Sequence, residues 1–200
     1  MKILDGLPER HRTAAAHLYW QAFGGKLGRV LGPDDRGRDF VRRALRPDHV
    51  LAAEDGDRLL GICGFKTARG AFVAADAGVM RASYGTFGAF WRQQALGLLV
   101  QDIDNERFLI DGLCVAAGER DRGIGTALIE AICAKARYQG YEAVRLDVVD
   151  TNHDARRLYE RLGFRAVGTH QARSVAALFG FAATVTMVRA EPRATPNPGG

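Results

Sequence analysis

The chain has 200 residues, of which 47% are hydrophobic and 26% charged, a balance typical of a globular protein with a full-sized core. This length suits one domain and leaves little room for two. The formal net charge of +5 is spread along the chain. No block of about five or six like charges occurs, which argues against a nucleic-acid-binding arm.

The amino-terminal stretch and the cysteines favour a cytoplasmic protein. Residues Met1–Arg12 carry charges where a signal peptide requires an apolar core, and no apolar run approaches the roughly 18 residues of a membrane span. Cys63, Cys114 and Cys133 each lie inside an apolar run, which predicts buried thiols in a reducing compartment. Neither they nor the five histidines show metal-ligand spacing, so we expect no metal, no membrane contact and no nucleic-acid partner.

Hydrophobic periodicity and turn residues predict the elements of the first half of the chain. In order these are a helix over Pro8–Phe23, a glycine-punctuated break over 24–33, a second helix from Asp34 to before Pro47, a hairpin whose strands flank Glu54–Asp57, and a mostly buried helix over 87–100. The Asp-Gly pair in the hairpin turn is favoured chemistry for a tight reversal. Residues 68–86 match no clear pattern.

The second half alternates strands and helices. The predicted elements are a strand over 106–117, a helix that begins at Ile124 and stops before Gly140, a strand over 142–150, a helix over 152–162 with Asn152 as its N-cap, and closing strands over 164–170 and 176–189. Residues 190–200 are rich in proline and glycine, which predicts a disordered carboxyl-terminal tail.

The turn between strand 106–117 and the next helix has the composition of an anion site. Its sequence, GERDRGIGTALI over 118–129, places two glycines where the helix begins. The first amides of a helix lack helical acceptors and lie at the positive end of its dipole, and glycine lets a phosphate approach them closely. The candidate cradle consists of the amides around Arg122, Gly123, Ile124, Gly125 and Thr126, with the side chains of Arg120 and Arg122 adding charge.

Three other interpretations of this turn compete with the anion site. A Walker loop is excluded because no Gly-Lys-Ser/Thr follows. A dinucleotide fingerprint needs a third glycine at position 128, which is Leu128, and an early place in a βαβ unit rather than after a hairpin. A turn that only joins strand to helix is compatible with the turn residues by themselves.

The stretch VAAGERDRGIGTALI, residues 115–129, resembles the acyl-CoA-binding motif of the GNAT superfamily of N-acetyltransferases, Gln/Arg-x-x-Gly-x-Gly/Ala. The motif positions are occupied by Arg120, Gly123 and Gly125, and the family's usual strand valine is Val115. The chain departs from the family at two places: Ala117 stands where many members have proline, and Asp121 where many have glycine. An aspartate is unfavourable beside a pyrophosphate unless its side chain turns away.

A second stretch, NHDARRLYERLGF over 152–164, resembles a later helix of the same family, Asn-x-x-Ala-x-x-Leu-Tyr-x-x-x-Gly-Phe. All six specified residues are present, namely Asn152, Ala155, Leu158, Tyr159, Gly163 and Phe164. With the hairpin and the strands between the motifs, the resemblance covers residues 1–189, which we interpret as one GNAT acetyltransferase domain followed by the tail 190–200.

The resemblance implies a mixed α/β fold with helices on both sides of a central sheet. The sheet is expected to be mostly antiparallel, with two parallel middle strands, 106–117 and 142–150, that splay apart to admit the cofactor.

The resemblance also implies roles for the motif residues. The cofactor is expected to be acetyl-CoA, bound as a cosubstrate by Val115, Arg120, Asp121, Arg122, Gly123, Ile124, Gly125, Thr126 and Asn152. Tyr159 is the expected general acid for the leaving thiolate, and the backbone amide of Val115 is expected to polarise the thioester carbonyl. Asn152 and Tyr159 are seven residues apart, nearly two helical turns, so one elongated cofactor can contact both.

A general base is less clearly indicated. Asp111 lies four residues before Val115 on the same predicted strand, so alternation predicts that the two share a face. Asp111 is therefore a candidate to accept the proton of the attacking amine.

We expect the protein to transfer an acetyl group to an amine of an unidentified small-molecule, peptide or protein acceptor by direct attack in a ternary complex. The alternatives are a non-catalytic acyl-CoA-binding or regulatory module, and an acyltransferase that uses another acyl-CoA or another nucleophile. A homodimer is compatible with the sequence.

Overall fold

The computed structural model describes residues 1–97, 107–171 and 181–191. The strands of these residues are β1 (Lys2–Asp5), β2 (Val50–Asp55), β3 (Arg58–Thr67), β4 (Gly70–Ala71), β5 (Phe108–Val115), β6 (Ala143–Val149), β7 (Arg165–Gln171) and β8 (Ala183–Ala190). The α-helices are α1 (Arg12–Leu31), α2 (Asp34–Ala44), α3 (Ala77–Gly97), α4 (Ile124–Tyr138) and α5 (His153–Arg161). Short 3-10 helices occupy Glu9–His11 and Ala117–Glu119.

The strands form one sheet whose two middle strands separate. Its order is β1-β2-β3-β5-β6-β8-β7, with β4 beside β3, and β5 and β6 form its parallel pair among the described strands. That pairing runs only from Phe108 opposite Val144 to Ile110 opposite Leu146. Beyond Ile110, β5 continues along β3 while β6 continues along β8, so a gap opens between them. The predicted mixed α/β fold, with a mostly antiparallel sheet and splayed parallel middle strands, is confirmed.

Helices cover both faces of the sheet. Alternation along β3 sends neighbouring side chains to opposite faces: buried Ile62 packs in an apolar cluster with residues of α1, α2 and α3, whereas buried Cys63 packs in a second cluster with residues of α4 and α5. The predicted apolar stripe of α4 is confirmed, since all its members are buried: Ile124, Leu128, Ile129, Ile132, Cys133 and Ala136. Each face of the sheet therefore has its own core.

The predicted break over residues 24–33 was wrong, because α1 continues to Leu31. Val30 and Leu31 are buried in the core, so the carboxyl-terminal half of the helix is stabilised by packing. A Cβ on Gly24 would lie 2.9 Å from the Trp20 ring, so this glycine serves close packing within the helix. Tertiary packing outweighs the weak helix propensity of the glycines.

The predicted helix over 87–100 is the second half of α3, described up to Gly97, and the prediction that it is mostly buried was wrong. Phe87 is 83% exposed and Phe90 is 64% exposed. The helix also begins earlier, at Ala77, within the stretch that had no predicted structure, and it contains a non-helical residue at Gly85. Only one side of α3 faces the core, so its high apolar content overstates its burial.

The remaining predicted elements agree with the structure where it describes them; residues 176–180 of the predicted closing strand lie outside the described residues. The second helix, the hairpin with Gly56 at its turn, and the helix capped by Asn152 are all present. The edge strand β1 was not predicted. The last strand reaches Ala190, one residue into the predicted tail, and residues 192–200 lie outside the described part of the chain.

Candidate active site

The N-terminus of α4 offers backbone donors that have no acceptor within the helix. Gly123 precedes the helix in a left-handed conformation (φ 78°), and no side chain caps the helix at this end. The Ala127 amide donates to the Gly123 carbonyl at 2.9 Å, so the ladder of the helix begins there. The amides of Ile124, Gly125 and Thr126 precede that first bond, and they stand at the positive end of the helix dipole.

A cavity of about 1000 Å³ opens at this helix end, between the turn, the end of β5 and the start of α5. We call it the arginine cavity because Arg120, Arg157 and Arg161 line it. Of the predicted site residues, eight lie in its wall: Val115, Arg120, Asp121, Gly123, Ile124, Gly125, Thr126 and Asn152. Both sequence motifs therefore contribute to one cavity.

The arginines of this region differ in their partners. The Arg122 side chain turns back to Glu119, a buried carboxylate that also accepts a hydrogen bond from Arg58. Arg122 thus contributes its backbone to the turn, while its guanidinium neutralises Glu119. Within the described ranges, Arg120 and Arg161 form no hydrogen bond or ion pair, so their charges are available to a ligand.

Asp121 occupies a left-handed backbone position. Its φ is 60°, and among the described residues Asp121 is the non-glycine residue with a positive φ. Aspartate tolerates this region better than most residues, and glycine tolerates it best, which explains why glycine fits this place in related motifs. The Asp121 side chain is exposed at the cavity wall. It therefore places a negative charge beside the helix end.

The start of α5 brings Asn152 to the arginine cavity. The Asn152 side-chain oxygen accepts a hydrogen bond from the Ala155 amide at 3.2 Å, which caps the helix. Leu158 packs across the cavity wall from Gly125, where an added Cβ would lie 3.5 Å from its Cδ2 atom. A glycine at position 125 therefore keeps the space between the two motifs open.

Tyr159 does not line the arginine cavity, and it packs in the apolar core on the α4 side of the sheet. Its side chain is only 8% exposed, and its ring packs against Phe164 with the centroids 5.9 Å apart. Burial raises the pKa of the Tyr159 phenol above its ordinary value, and the nearby thiols of Cys63 and Cys114 raise it further. The phenol is therefore protonated at neutral pH and lies close to β3 and β5.

The amide of Val115 points into the gap between the middle strands. The next amide, that of Ala116, donates to the Leu60 carbonyl of β3 at 2.9 Å. Because amides alternate in direction along an antiparallel strand, the Val115 N–H points away from β3 and toward the side of β6. At this level β6 no longer pairs with β5, so the Val115 N–H is directed at the gap.

The prediction that Asp111 and Val115 share a face of β5 was wrong. Gly112 pairs with Gly64 and Ile110 pairs with Phe65, so Asp111 is an extra residue without a partner on β3. Such a β-bulge reverses the alternation of side chains beyond it. Asp111 accordingly lines a second cavity on the α1–α3 side, whereas Val115 packs against the α4 cluster.

The second cavity has a volume of about 340 Å³ and contains two carboxylates, Asp111 and Asp147. We call it the carboxylate cavity. Burial raises the pKa of Asp111, although Lys66 and hydrogen bonds from the backbone of Val73 and Phe72 oppose that shift. Asp147 accepts a hydrogen bond from the Thr186 hydroxyl at 2.5 Å.

The thiols are placed for packing. Cys63, Cys114 and Cys133 are free and buried. Burial raises the pKa of Cys114 to about 12, so it is a thiol at neutral pH, and its side chain packs on the opposite face from Val115. Across residues 1–97, 107–171 and 181–191, no three His, Cys, Asp or Glu side chains cluster as a metal site would require.

A sequence model described as the acetyltransferase (GNAT) family matches residues 12–164, more than half of the chain. The chain belongs to the GNAT family of acetyltransferases. The matched region includes the arginine cavity, both motifs and the gap between the middle strands.

Similar proteins support this assignment. A mouse protein described as probable N-acetyltransferase family 8 member 5 is 28% identical over 109 residues, which are 50% of this chain and 48% of the mouse protein. The chain thus spans about half the length of that curated relative.

Two solved structures share the fold. An N-acetyltransferase from Staphylococcus aureus Mu50 has a TM-score of 0.69 at 17% identity, covering 94% of this chain and 100% of that one. An aminoglycoside 6'-acetyltransferase type Ii has a TM-score of 0.60 at 18% identity, covering 99% of this chain and 100% of that one.

Sequence reasoning missed several charged residues of this GNAT protein. Glu119 could have been found as the i,i+3 partner of Arg122, because oppositely charged residues at that spacing commonly pair. Asp147 interrupts an apolar strand and could have been noted as a polar residue in the middle of the sheet. Its proximity to Asp111 depends on strand pairing, which neither local sequence reveals.

Among the residues that the structure describes, none of the helices is sufficiently long and apolar to cross a bilayer.

Proposed function

We propose that this GNAT protein is an N-acetyltransferase that transfers the acetyl group of acetyl-CoA directly to an amine. The proposal rests on two sets of backbone hydrogen-bond donors that belong to residues in the wall of one cavity. One is the uncapped N-terminus of α4 in the arginine cavity, and the other is the Val115 amide, which points into the gap between β5 and β6.

The arginine cavity fits the chemistry of acetyl-CoA. Its volume of about 1000 Å³ lies at the upper end of small-molecule sites, as a cosubstrate of this size requires. The α4 amides and the charges of Arg120 and Arg161 can bind the pyrophosphate, because a helix N-terminus attracts anions. Asn152 is available for the pantetheine arm, since its amide nitrogen remains a donor while its oxygen caps α5.

The reaction requires stabilisation of an oxyanion and protonation of a thiolate. Acetyl-CoA supplies the thioester whose carbonyl carbon the amine attacks. We assign the Val115 amide to the developing oxyanion, a role in which a directed backbone donor is effective. The ammonium form of the amine first loses one proton to solvent, and the neutral amine attacks the carbonyl carbon. As the C–S bond breaks, the phenol of Tyr159 donates its proton to the leaving sulfur, and the second proton of the attacking nitrogen restores the phenol.

The buried phenol makes proton transfer more demanding. An ordinary phenol has a pKa of about 10 and an ordinary thiol about 8.5, so the transfer is uphill even without burial. Since burial raises the pKa of Tyr159 further, the proton stays on the phenol until the C–S bond is nearly broken. This favours a late transfer.

Direct transfer is favoured over an acyl-cysteine route. The thiolate, not the thiol, is the nucleophilic form of cysteine. With a pKa of about 12, Cys114 carries almost no thiolate at neutral pH. Because Cys114 is also buried on the face of β5 opposite Val115, we propose that the acetyl group passes to the amine without an acyl-cysteine at this residue.

The test is amine-dependent release of free thiol from acetyl-CoA, compared between the wild type and Tyr159→Phe. We expect Tyr159→Phe to lower kcat by about 10²–10⁴-fold, the usual contribution of a positioned general acid. Acetyl-CoA affinity should stay nearly unchanged, because the ring still packs against Phe164. A matched control is Tyr138→Phe, which removes the hydroxyl of a 93% exposed tyrosine.

Equal turnover of Tyr159→Phe and wild type would remove the acid assignment. Failure of the wild type to release thiol with any amine, while it binds acetyl-CoA, would favour a binding module instead.

A further inference from the structure

The carboxylate cavity lies on the opposite side of the sheet from α4, at the point where the middle strands separate. Ile110 and Leu146 form the last parallel pair, and Asp111 and Asp147 are the next residue on each strand. Both line the cavity, together with side chains of α1, α2 and the chain before α3. Two carboxylates therefore flank the start of the gap into which the Val115 amide points.

The hydrogen bonds of the two carboxylates leave room for a further donor. Asp111 accepts from the backbone amides of Phe72 and Val73. Asp147 accepts from the Thr186 hydroxyl and forms an ion pair with Arg145 at 3.3 Å. An ionised carboxylate has about four acceptor sites, so each can accept a further hydrogen bond from a ligand ammonium group.

A single lysine shares the cavity with these carboxylates. Lys66 lines the wall and is half-buried. Its ammonium group has no hydrogen bond or ion pair with any residue in the described ranges, although its charge lowers the pKa of Asp111 and therefore acts on that carboxylate. A ligand with a second cationic centre would be repelled by Lys66, whereas a ligand anion would be attracted.

The rest of the cavity is small and mostly apolar, with Tyr19 and Thr184 as its other polar side chains. Leu27, Leu31 and Phe40 form one wall, and the ring of Tyr19 lies among them. A volume of about 340 Å³ accommodates a compact molecule and is at the lower end of small-molecule sites. Apolar walls of this kind bind an apolar body and leave a polar chain unsatisfied.

We propose that the carboxylate cavity is the acceptor site and that the acceptor is a small amine with one ammonium group and an apolar body. Asp111 and Asp147 hold its ammonium group at the gap, and the apolar walls hold the remainder. The proposal rests on the proposed acetyl transfer and names its acceptor class. Polyamines, aminoglycosides and peptide lysines fit poorly, because they carry several charges or a long polar chain.

The proposed class can come from two sources. One is a simple amine such as 2-phenylethylamine, and the other is an amino acid with an apolar side chain such as L-phenylalanine. Lys66 distinguishes them, since only the amino acid offers a carboxylate. Lys66→Met should raise the KM of the amino acid relative to that of the simple amine, because both acceptors share any change at Asp111 and only the amino acid loses a partner for its carboxylate.

The experiment measures thiol release with five acceptors at saturating acetyl-CoA: 2-phenylethylamine, L-phenylalanine, spermidine, kanamycin and a lysine-containing peptide. We expect one of the first two to exceed the other three in kcat/KM by about tenfold or more. Asp111→Asn and Asp147→Asn should each raise its KM by about tenfold or more, as loss of a charged hydrogen-bond partner does.

Two further variants complete the test. Ala75→Phe enlarges an exposed residue of the cavity wall, so it should raise the acceptor KM without disturbing the core. Asp57→Asn makes the same chemical change as the two aspartate variants at a fully exposed hairpin residue and should leave the acceptor KM unchanged. Acetyl-CoA affinity, measured by calorimetry, should be equal in all of these proteins.

The proposal is overturned if spermidine, kanamycin or the peptide is the best acceptor, or if none of the five is acetylated. It is also overturned if Asp111→Asn, Asp147→Asn and Ala75→Phe all leave the acceptor KM unchanged. If spermidine, kanamycin or the peptide is the best acceptor, the proposed acetyl transfer survives with another acceptor class. A wild type that does not bind acetyl-CoA would instead contradict the proposed function itself.

Discussion

The arginine cavity and the carboxylate cavity lie on opposite sides of the same gap, and they are built differently. The arginine cavity takes most of its lining from two continuous stretches, residues 119–126 and 152–161. The carboxylate cavity gathers its residues from three helices, five strands and a loop. The arginine cavity is therefore determined mostly by two short sequence motifs, whereas the carboxylate cavity depends on the packing of elements that are distant in sequence.

The two cavities also differ in how they hold charge. The arginine cavity presents helix amides and exposed guanidinium groups, which remain charged at any physiological pH. In the carboxylate cavity, Asp111 is half-buried, and desolvation raises its pKa. A carboxylate with a perturbed pKa in a cavity is a candidate functional group. We therefore expect substitutions in the carboxylate cavity to change protein stability, and substitutions in the arginine cavity to change acetyl-CoA affinity.

The first prediction concerns the stability of the carboxylate cavity. Asp111→Asn should raise Tm at pH 7.5 by about 2–4 °C, the shift that about 1 kcal/mol produces in a chain of this size. The asparagine retains the shape and an acceptor oxygen for the Phe72 and Val73 amides, and it removes the cost of a buried charge. Differential scanning calorimetry of the two proteins measures the shift.

The pH dependence of this effect has a definite sign. Because the pKa of Asp111 is higher in the folded than in the unfolded state, its contribution to stability is complete below the unfolded pKa and is lost as pH rises through the folded pKa. The advantage of Asp111→Asn should therefore shrink as pH falls toward 4, near the ordinary pKa of about 3.9. An equal advantage at pH 4 and pH 7.5 would contradict the assignment of the effect to this carboxylate.

The smaller expected effect is on cofactor affinity. Asp121→Asn retains a residue that tolerates the left-handed conformation and removes the negative charge beside the helix end. We expect the Kd of acetyl-CoA to fall by about 1.4- to fivefold, as an exposed charge pair is typically worth 0.2–1 kcal/mol. Isothermal titration at low and high salt measures it, and the gain should be smaller at high salt.

Asp150→Asn serves as the control for this variant, because Asp150 is an exposed acidic residue that lines neither cavity. An equal gain in affinity from both variants would show that overall charge is responsible rather than Asp121.

Local signals predicted most of the fold and the arginine cavity. The stripe of α4, the Asp-Gly hairpin and the Asn152 cap each lie within one short stretch, so neighbouring residues determine them. The errors occurred where distant contacts decide. Packing of Val30 and Leu31 extends α1 through its glycines.

The site shows the same division. Val115, Gly123 and Asn152 could be placed from the two motifs, and the structure brings them to one cavity. The position of Asp111 could not be predicted in this way. A bulge opposite Gly64 and Phe65 reverses the alternation of side chains along β5, on which the prediction relied. Asp147 depends on the pairing of β5 with β6 over only a few residues, which no local pattern encodes.

The central claim, that the α4 N-terminus binds the pyrophosphate of acetyl-CoA, is tested most directly by calorimetry of two matched variants. Gly123→Asp and Gly140→Asp each place an aspartate at a left-handed glycine with no heavy atom within 4 Å of the added Cβ, at opposite ends of the same helix. Both should lose stability through backbone strain. We expect Gly123→Asp to lose acetyl-CoA binding and Gly140→Asp to bind like the wild type; unaltered binding by Gly123→Asp would contradict pyrophosphate binding at the α4 N-terminus.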